Sequence, residues 1–132
     1  MGLFDKVFKS ERDIAKEEIT KVPWNHLTSA AQLEEIEKES ENKTIAIFKH
    51  STSCGISRMV LKMFESDYKS SKNKELKLYF LDILNHRDIS NEIAAKFGVR
   101  HESPQLIVLK NKEIIHHSSH QSISAEKLEE LA

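Results

Sequence analysis

The chain alternates between apolar runs typical of strands and segments whose apolar residues recur with helical spacing. Segments 44–50 (TIAIFKH) and 76–84 (LKLYFLDIL) are rich in β-branched and aromatic residues, as buried strands are. An amphipathic segment follows each of them, and another precedes the first. Strands that alternate with helices form a sheet that is covered on both faces. The pattern therefore predicts an α/β fold with a mixed central sheet.

The helices are predicted from their apolar faces and their caps. Segment 55–69 is predicted to turn four residues inward, namely Ile56, Val60, Met63 and Phe64. Ser29 is predicted to cap the helix that contains Leu33 and Ile36. Gly98 is predicted to end the third helix.

The remaining segments complete the predicted order β-α-β-α-β-α-β-β-α. Residues 103–117 (SPQLIVLKNKEIIHH) predict a β-hairpin with an Asn-Lys turn, and the last helix follows with Ser124 as its N-cap. Segment 22–29 predicts a short edge strand or a loop leading into the sheet. With 132 residues, we expect one domain over 22–132, preceded by an arm or short helix at 1–21.

Composition excludes several classes of protein. The net charge is −1 and no run of Lys or Arg forms a basic stripe, so no nucleic-acid partner is expected. The single cysteine excludes a scaffold stapled by internal disulfides. No apolar run approaches the ~20 residues that span a bilayer, and the first ten residues lack the apolar core of a signal peptide. We therefore expect a cytoplasmic monomer that is not attached to a membrane.

Cys54 lies between strand 44–50 and the next predicted helix. Functional groups collect beyond the carboxyl ends of parallel strands, and the free N–H groups of a helix N-terminus favour an anion such as a thiolate. Ser57, one turn later, could donate to the sulfur, and Lys49 and Arg58 add positive charge. In the alternative interpretation, Cys54 is a small buried hydrophobe and Ser57 a capping hydroxyl without a chemical part.

Other polar residues have plainer interpretations. His116, His117 and His120 could hold zinc or nickel, but alternating strand faces favour a solvated strand end, and no metal site is expected. Asp82 is interpreted as a solvated strand end and Trp24 as a core residue.

The order of elements resembles the thioredoxin-like superfamily over residues 22–132, because Cys-Gly-Ile-Ser opens a helix after a strand and Pro104 leads into a terminal hairpin and helix. The segments FKHSTSCGISR, VPWNHLTS and SPQLIVLKNKEIIHHSSHQSIS are similar to the monothiol bacilliredoxin family. The resemblance implies a thioredoxin-like three-layer α/β/α sandwich with a mixed central sheet and a C-terminal β-hairpin plus helix.

The resemblance also implies an activity, since members of that family are taken to remove bacillithiol, a cysteine-bearing glucosaminyl malate, from mixed disulfides on proteins. Cys54 would be the attacking cysteine, and Pro104 a cis-proline facing it. The backbone of Ser103 would pair with the substrate, and His120 could touch the anionic thiol. The rest of Cys-Gly-Ile-Ser would support the site, namely Gly55, Ile56 and Ser57.

The implied partners are bacillithiolated proteins and a low-molecular-weight thiol. Bacillithiol would be a co-substrate, and no tightly bound cofactor is expected. Gly55 departs from the Pro that is common in the family and is similar to the Cys-Gly-Phe-Ser motif of monothiol glutaredoxins, which bind glutathione and iron–sulfur clusters. A glutaredoxin-like cluster-binding protein and a non-catalytic thioredoxin-like interaction module therefore stay open. HHSSH replaces the paired Gly of glutaredoxins, which favours bacillithiol over glutathione.

Overall fold

The structure is a computed structural model that describes residues 22–68 and 75–132. The predicted arm at 1–21 and most of the predicted loop after the second helix lie outside the described residues. The strands are β1 (Trp24–His26), β2 (Thr44–His50), β3 (Leu76–Asp82), β4 (Gln105–Lys110) and β5 (Glu113–Ser119). The α-helices described are α1 (Gln32–Glu39), α2 (Gly55–Asp67), α3 (Arg87–Phe97) and α4 (Ala125–Leu131), with a 3-10 turn at His120–Ser122.

The strands form one mixed sheet in the order β1-β3-β2-β4-β5. Strands β1, β3 and β2 run parallel, whereas β4 is antiparallel to β2 and β5 is antiparallel to β4. Apolar residues of α1 and α3 form one buried cluster with the sheet, and those of α2 and α4 form another. The predicted three-layer α/β/α architecture with its terminal hairpin and helix is confirmed.

Strand β2 lies at the centre of the sheet, and all seven of its residues are buried. Successive side chains of a strand point to opposite faces. Ile45 and Ile47 belong to the cluster under α1 and α3, so Lys49 points to that face. His50 points to the face that α2 covers, as Phe48 does. Two polar side chains therefore end the central strand inside the molecule.

The terminal hairpin turns at Asn111 and Lys112, whose φ angles are 52° and 65°. Positive φ at both central residues is the signature of a type I′ turn, whose twist matches that of the flanking strands. Ser40, just after α1, anchors the turn: its carbonyl accepts the Asn111 N–H at 2.7 Å, and its Oγ accepts the Lys112 N–H at 2.8 Å. The predicted Asn-Lys turn is confirmed.

Several smaller predictions about caps and core residues are also confirmed. Gly98 follows α3 in the left-handed conformation, with φ of 66°. The Ser124 hydroxyl accepts the Lys127 N–H at the start of α4. The Trp24 ring packs against aromatic side chains of the core, and its Nε1–H donates to Glu65 at 2.9 Å. Trp24 is thus a packed residue of an edge strand.

The predicted cap of α1 is wrong. The helix begins at Gln32 with Ala31 at the N-cap position, so Ser29 lies two residues too early. The Gln32 side chain reaches back instead, and its Oε1 accepts the backbone N–H groups of Thr28 and Ser29. A side chain inside the helix therefore satisfies the donors that precede it.

The predicted inward face of α2 is wrong in two of its four positions. Val60 and Phe64 are buried, but Ile56 and Met63 are 44% and 59% exposed. The helix meets the sheet along a line that includes Ser57, which is fully buried.

Strand β3 ends at Asp82, two residues earlier than predicted. The Asp82 carboxylate accepts the Leu84 N–H, and this bond turns the chain.

Candidate active site

Cys54 occupies the N-cap of α2, four residues after the end of β2. Its backbone is extended, its N–H donates to the Ser51 carbonyl at 3.2 Å, and its carbonyl accepts the Arg58 N–H at 3.1 Å as the first bond of the helix. The thiol is partly exposed and makes no capping hydrogen bond. The first turn contains no acidic residue that would oppose the preference of a helix N-terminus for an anion.

Ser57 is fully buried, and its hydroxyl points into the molecule. The Oγ accepts the Ser51 N–H at 3.0 Å and lies 3.0 Å from His50 Nδ1. This bond between the Ser51 N–H and Ser57 Oγ fixes the loop before Cys54 against the first turn of α2. The hydroxyl that the sequence analysis assigned to the sulfur is therefore engaged with two groups of the β2–α2 junction.

His50 is 3% exposed and packs against the ring of Phe80, with ring centroids 5.4 Å apart. Burial is the main influence on its pKa and lowers it below the usual value. The Asp82 carboxylate, whose residue pairs with His50 across β2 and β3, acts in the opposite direction. A backbone hydrogen bond of Ser57 also raises the pKa, and Arg58 adds to the lowering. The net lowering of the pKa favours the neutral imidazole.

Lys49 lies on the opposite face of the sheet from α2 and is fully buried. Its Nζ donates to Gln105 Oε1 at 3.2 Å, and Gln105 Nε2 donates to the Arg100 carbonyl at 2.9 Å. Burial lowers the pKa of Lys49 to about 8. Lys49 was expected to add positive charge near Cys54. Its ammonium group instead belongs to a buried hydrogen-bond network that holds the segment before β4.

The Ser103–Pro104 peptide is cis, as the resemblance implied. Residues Lys49 and Gln105 are paired across β2 and β4, so Pro104 and Cys54 lie beyond the same edge of the sheet. Ser103 Oγ is buried and has no hydrogen-bond partner among the described residues. This loop and the start of α2 together form the candidate site.

His120 is exposed and lies beside the same loop, because its backbone N–H donates to the Pro104 carbonyl at 3.0 Å. Its φ of 54° places a non-glycine residue in the left-handed region. His116 and His117 stand on opposite faces of β5, opposite Val108 and Ile107. Within 22–68 and 75–132, no three His, Cys, Asp or Glu side chains are grouped so that they could hold a metal ion.

Comparisons with known proteins agree with this geometry. Residues 25–128 match the family described as "Monothiol bacilliredoxin BrxC". This match covers most of the chain and includes Cys54, Pro104 and His120. The chain belongs to the monothiol bacilliredoxin family.

Solved structures support the same fold. A structure described as a candidate oxidoreductase with a thioredoxin fold is 30% identical, with a TM-score of 0.70, and the match covers 85% of this chain and 95% of that one. Thioredoxin of Malassezia sympodialis is 23% identical, with a TM-score of 0.58 over 80% of this chain and 84% of its own. Fasciola hepatica thioredoxin is also 23% identical, with a TM-score of 0.58 over 81% and 94%. The fold is that of thioredoxin, and the family is one of thiol-based redox proteins.

The sequence analysis missed two residues of this bacilliredoxin-family site, His50 and Gln105. Both lie within segments that were predicted as strands, and neither was given a role. The one available signal was that both lie at the ends of apolar strands, where a polar residue inside the pattern needs a partner.

Among the described helices, none is long and apolar enough to cross a membrane.

Proposed function

We propose that this protein is a cytoplasmic, monomeric thiol–disulfide oxidoreductase that removes bacillithiol from protein mixed disulfides. The observation that carries the proposal is the position of the only cysteine, partly exposed at the N-cap of α2 and beyond the same sheet edge as Pro104. A helix N-terminus favours the thiolate, and the thiolate is the attacking form in disulfide exchange.

The proposed reaction is one exchange step. The Cys54 thiolate attacks the bacillithiol sulfur of the mixed disulfide, and a new S–S bond forms between Cys54 and bacillithiol. The old S–S bond breaks, its electron pair stays on the target sulfur, and the target leaves as a thiolate that takes a proton from water. No net oxidation occurs. A second thiol molecule must then release bacillithiol from Cys54, because Ser57 stands where dithiol relatives have another cysteine.

Substrate would bind beside Ser103, Pro104 and His120. The backbone of Ser103 would pair with the extended substrate, and the exposed imidazole of His120 would contact an anionic thiol. Gly55 and Ile56 are both exposed at the start of α2, so they leave the approach to Cys54 open. Bacillithiol is a co-substrate in this scheme.

The deciding experiment follows the mass of the intact protein after incubation with a bacillithiolated target. We expect Cys54 to gain one bacillithiol while the target loses it. Cys54→Ser should abolish transfer with an unchanged far-UV circular dichroism spectrum, because a serine hydroxyl is not deprotonated near neutral pH. An unchanged target, or transfer by the serine variant, would exclude the proposed role of Cys54.

Two parallel reactions separate the remaining alternatives. A glutathionylated copy of the same target tests the choice of thiol, and faster release of glutathione would contradict the assignment of bacillithiol. Anaerobic reconstitution with iron and sulfide tests cluster binding, in which two chains would each give Cys54 to a [2Fe–2S] centre and free thiols would complete the ligands. We expect a colourless protein, and stable visible absorbance that depends on Cys54 would favour the glutaredoxin-like function.

A further inference from the structure

The Ser57 hydroxyl has only one proton, and the structure shows two groups that bind its oxygen. The Oγ accepts the Ser51 N–H at 3.0 Å and lies 3.0 Å from His50 Nδ1. Both Ser57 and His50 are buried, at 0% and 3% exposure. The exchange reaction proposed above uses neither contact, so the purpose of this buried pair under the thiol needs its own explanation.

Counting protons gives two possible states. A hydroxyl has one donor and two acceptor positions, and the Ser51 N–H fills one acceptor position. When His50 Nδ1 carries no proton, Ser57 donates its only proton to His50. When Nδ1 carries a proton, His50 fills the second acceptor position, and the Ser57 proton becomes available to another group.

The need of the Ser57 proton for an acceptor favours the first state. Burial is the main influence that lowers the pKa of His50, and Arg58 of α2 acts in the same direction, whereas Asp82 of β3 and a backbone hydrogen bond of Ser57 raise it. The net lowering favours a neutral ring, and a buried hydroxyl proton needs an acceptor. His50 Nδ1 lies 3.0 Å from the Ser57 oxygen and can accept when the ring proton is on Nε2, whereas the sulfur of Cys54 makes no capping bond.

We propose that His50 is a positioning residue that holds the Ser57 hydroxyl proton and withholds it from the Cys54 sulfur. Cys54 is the N-cap and Ser57 the third residue of α2, which are the two positions that face each other across a first helical turn. Without His50, the hydroxyl would therefore turn toward the sulfur. Withholding this bond leaves less thiolate at pH 7, but it also makes Cys54 a poorer leaving group, which favours retention of the adduct.

The test measures Cys54 directly, by the rate of iodoacetamide alkylation at pH 7 and by thiolate absorbance at 240 nm as the pH is raised. His50→Phe removes the acceptor and keeps a ring against Phe48 and Phe80. We expect alkylation about threefold faster, because a hydrogen bond raises the fraction of thiolate about tenfold and the lower nucleophilicity of that thiolate offsets part of the gain. Ser57→Ala provides the background for a double variant, in which His50→Phe should no longer change the rate.

The chain contains a matched control. Ser90 Oγ of α3 lies 3.0 Å from His101 Nδ1, so the chain contains a second Ser–His pair with the same separation. His101→Phe should leave alkylation of Cys54 unchanged. Far-UV circular dichroism and thermal unfolding verify that each variant is folded, and His50→Leu replaces His50→Phe if the phenylalanine does not fit.

Two results would overturn the proposal. One is a folded His50 variant that shows no gain in the alkylation rate. The other is a gain that persists when Ser57 is already Ala. Because alkylation requires no bacillithiol, each of these results is independent of whether the proposed exchange reaction is correct.

Discussion

Lys49 carries a buried ammonium group whose hydrogen-bond partner, Gln105, is a neutral amide. Burial lowers its pKa from 10.5 to about 8. Between these two pH values the unfolded chain binds more protons than the native protein, so this group makes the native state more stable as the pH rises. Below pH 8 its burial opposes folding at full strength.

Lys49→Met should therefore raise the free energy of unfolding at pH 7 by about 1–3 kcal/mol, since apolar replacement of a buried charge is often stabilising. The advantage over the wild type should shrink between pH 8 and 10.5, where the wild-type lysine loses its proton in the native state. Urea titrations of both proteins at pH 7 and 10 measure the difference in their free energies of unfolding. The contributions of other titrating groups cancel in this difference. An equal advantage at both pH values would contradict the account, and Lys110→Met, at an exposed position, serves as the control.

Gly55 is the first residue of α2, and its backbone does not require glycine. A Cβ built there meets no atom within 4 Å, and Cys54 before it has φ of −104° and ψ of 121°, the extended conformation that precedes proline. Proline is also favoured at the first position of a helix. The backbone at position 55 is therefore compatible with proline, the residue that is common there in the family.

We expect Gly55→Pro to stabilise the native state by about 0.5–1 kcal/mol, because proline restricts the unfolded chain. The melting temperature should rise by about 2–4 °C in calorimetry. Gly55→Ala should give a smaller rise by the same mechanism. If only the proline variant has a lower melting temperature, the N–H of residue 55 makes a hydrogen bond whose loss costs more than the restriction of the unfolded chain contributes.

At the scale of single elements, α2 shows what a local pattern cannot decide. Its apolar residues allow more than one inward face, and the sequence analysis chose a face that included Ile56 and Met63. The sheet contacts the line through Ser57, Val60 and Phe64 instead. This face also carries the buried bond between Ser57 and His50, which joins two elements and leaves no trace in helical periodicity.

The hairpin shows the opposite case, because its turn is a local feature. Asn111 and Lys112 both have positive φ, and glycine is the residue that adopts this conformation without strain. Lys112→Gly should stabilise the native state by about 1 kcal/mol, since the ion pair it removes, Lys112 with Glu41, is half exposed and weak. Chemical denaturation measures the change. Lys110→Gly, in the adjacent strand, should destabilise, and equal effects of the two variants would refute the conformational explanation.

At the scale of the whole molecule, the architecture was predictable and the buried polar network was not. Alternating strand and helix patterns predicted the layers, and Pro104 before the hairpin carried the resemblance. The pairing of Lys49 with Gln105 joins residues 56 positions apart, and no periodicity within either segment encodes it. Such pairs depend on strand order and register, which long-range packing decides.

The single cysteine limits what one molecule can do by itself. If the proposed exchange is correct, each chain can accept one bacillithiol and must then wait for an external thiol. Without added thiol, we expect the amount of released target to equal the amount of protein. Quenched-flow sampling with mass spectrometry measures this burst. Release beyond one equivalent would show that another group resolves Cys54, and addition of free bacillithiol should restore multiple turnovers.

The pairing of β2 with β4 also sets the spacing between the two loops of the site. Backbone hydrogen bonds between the two strands, from Ile45 with Leu109 to Lys49 with Gln105, fix how far each strand extends before its active loop begins. The side chains between them can change without altering that length. We therefore expect a substitution in this part of the core, such as Ile47→Val, to lower the stability of the native state without changing the spacing on which the chemistry depends.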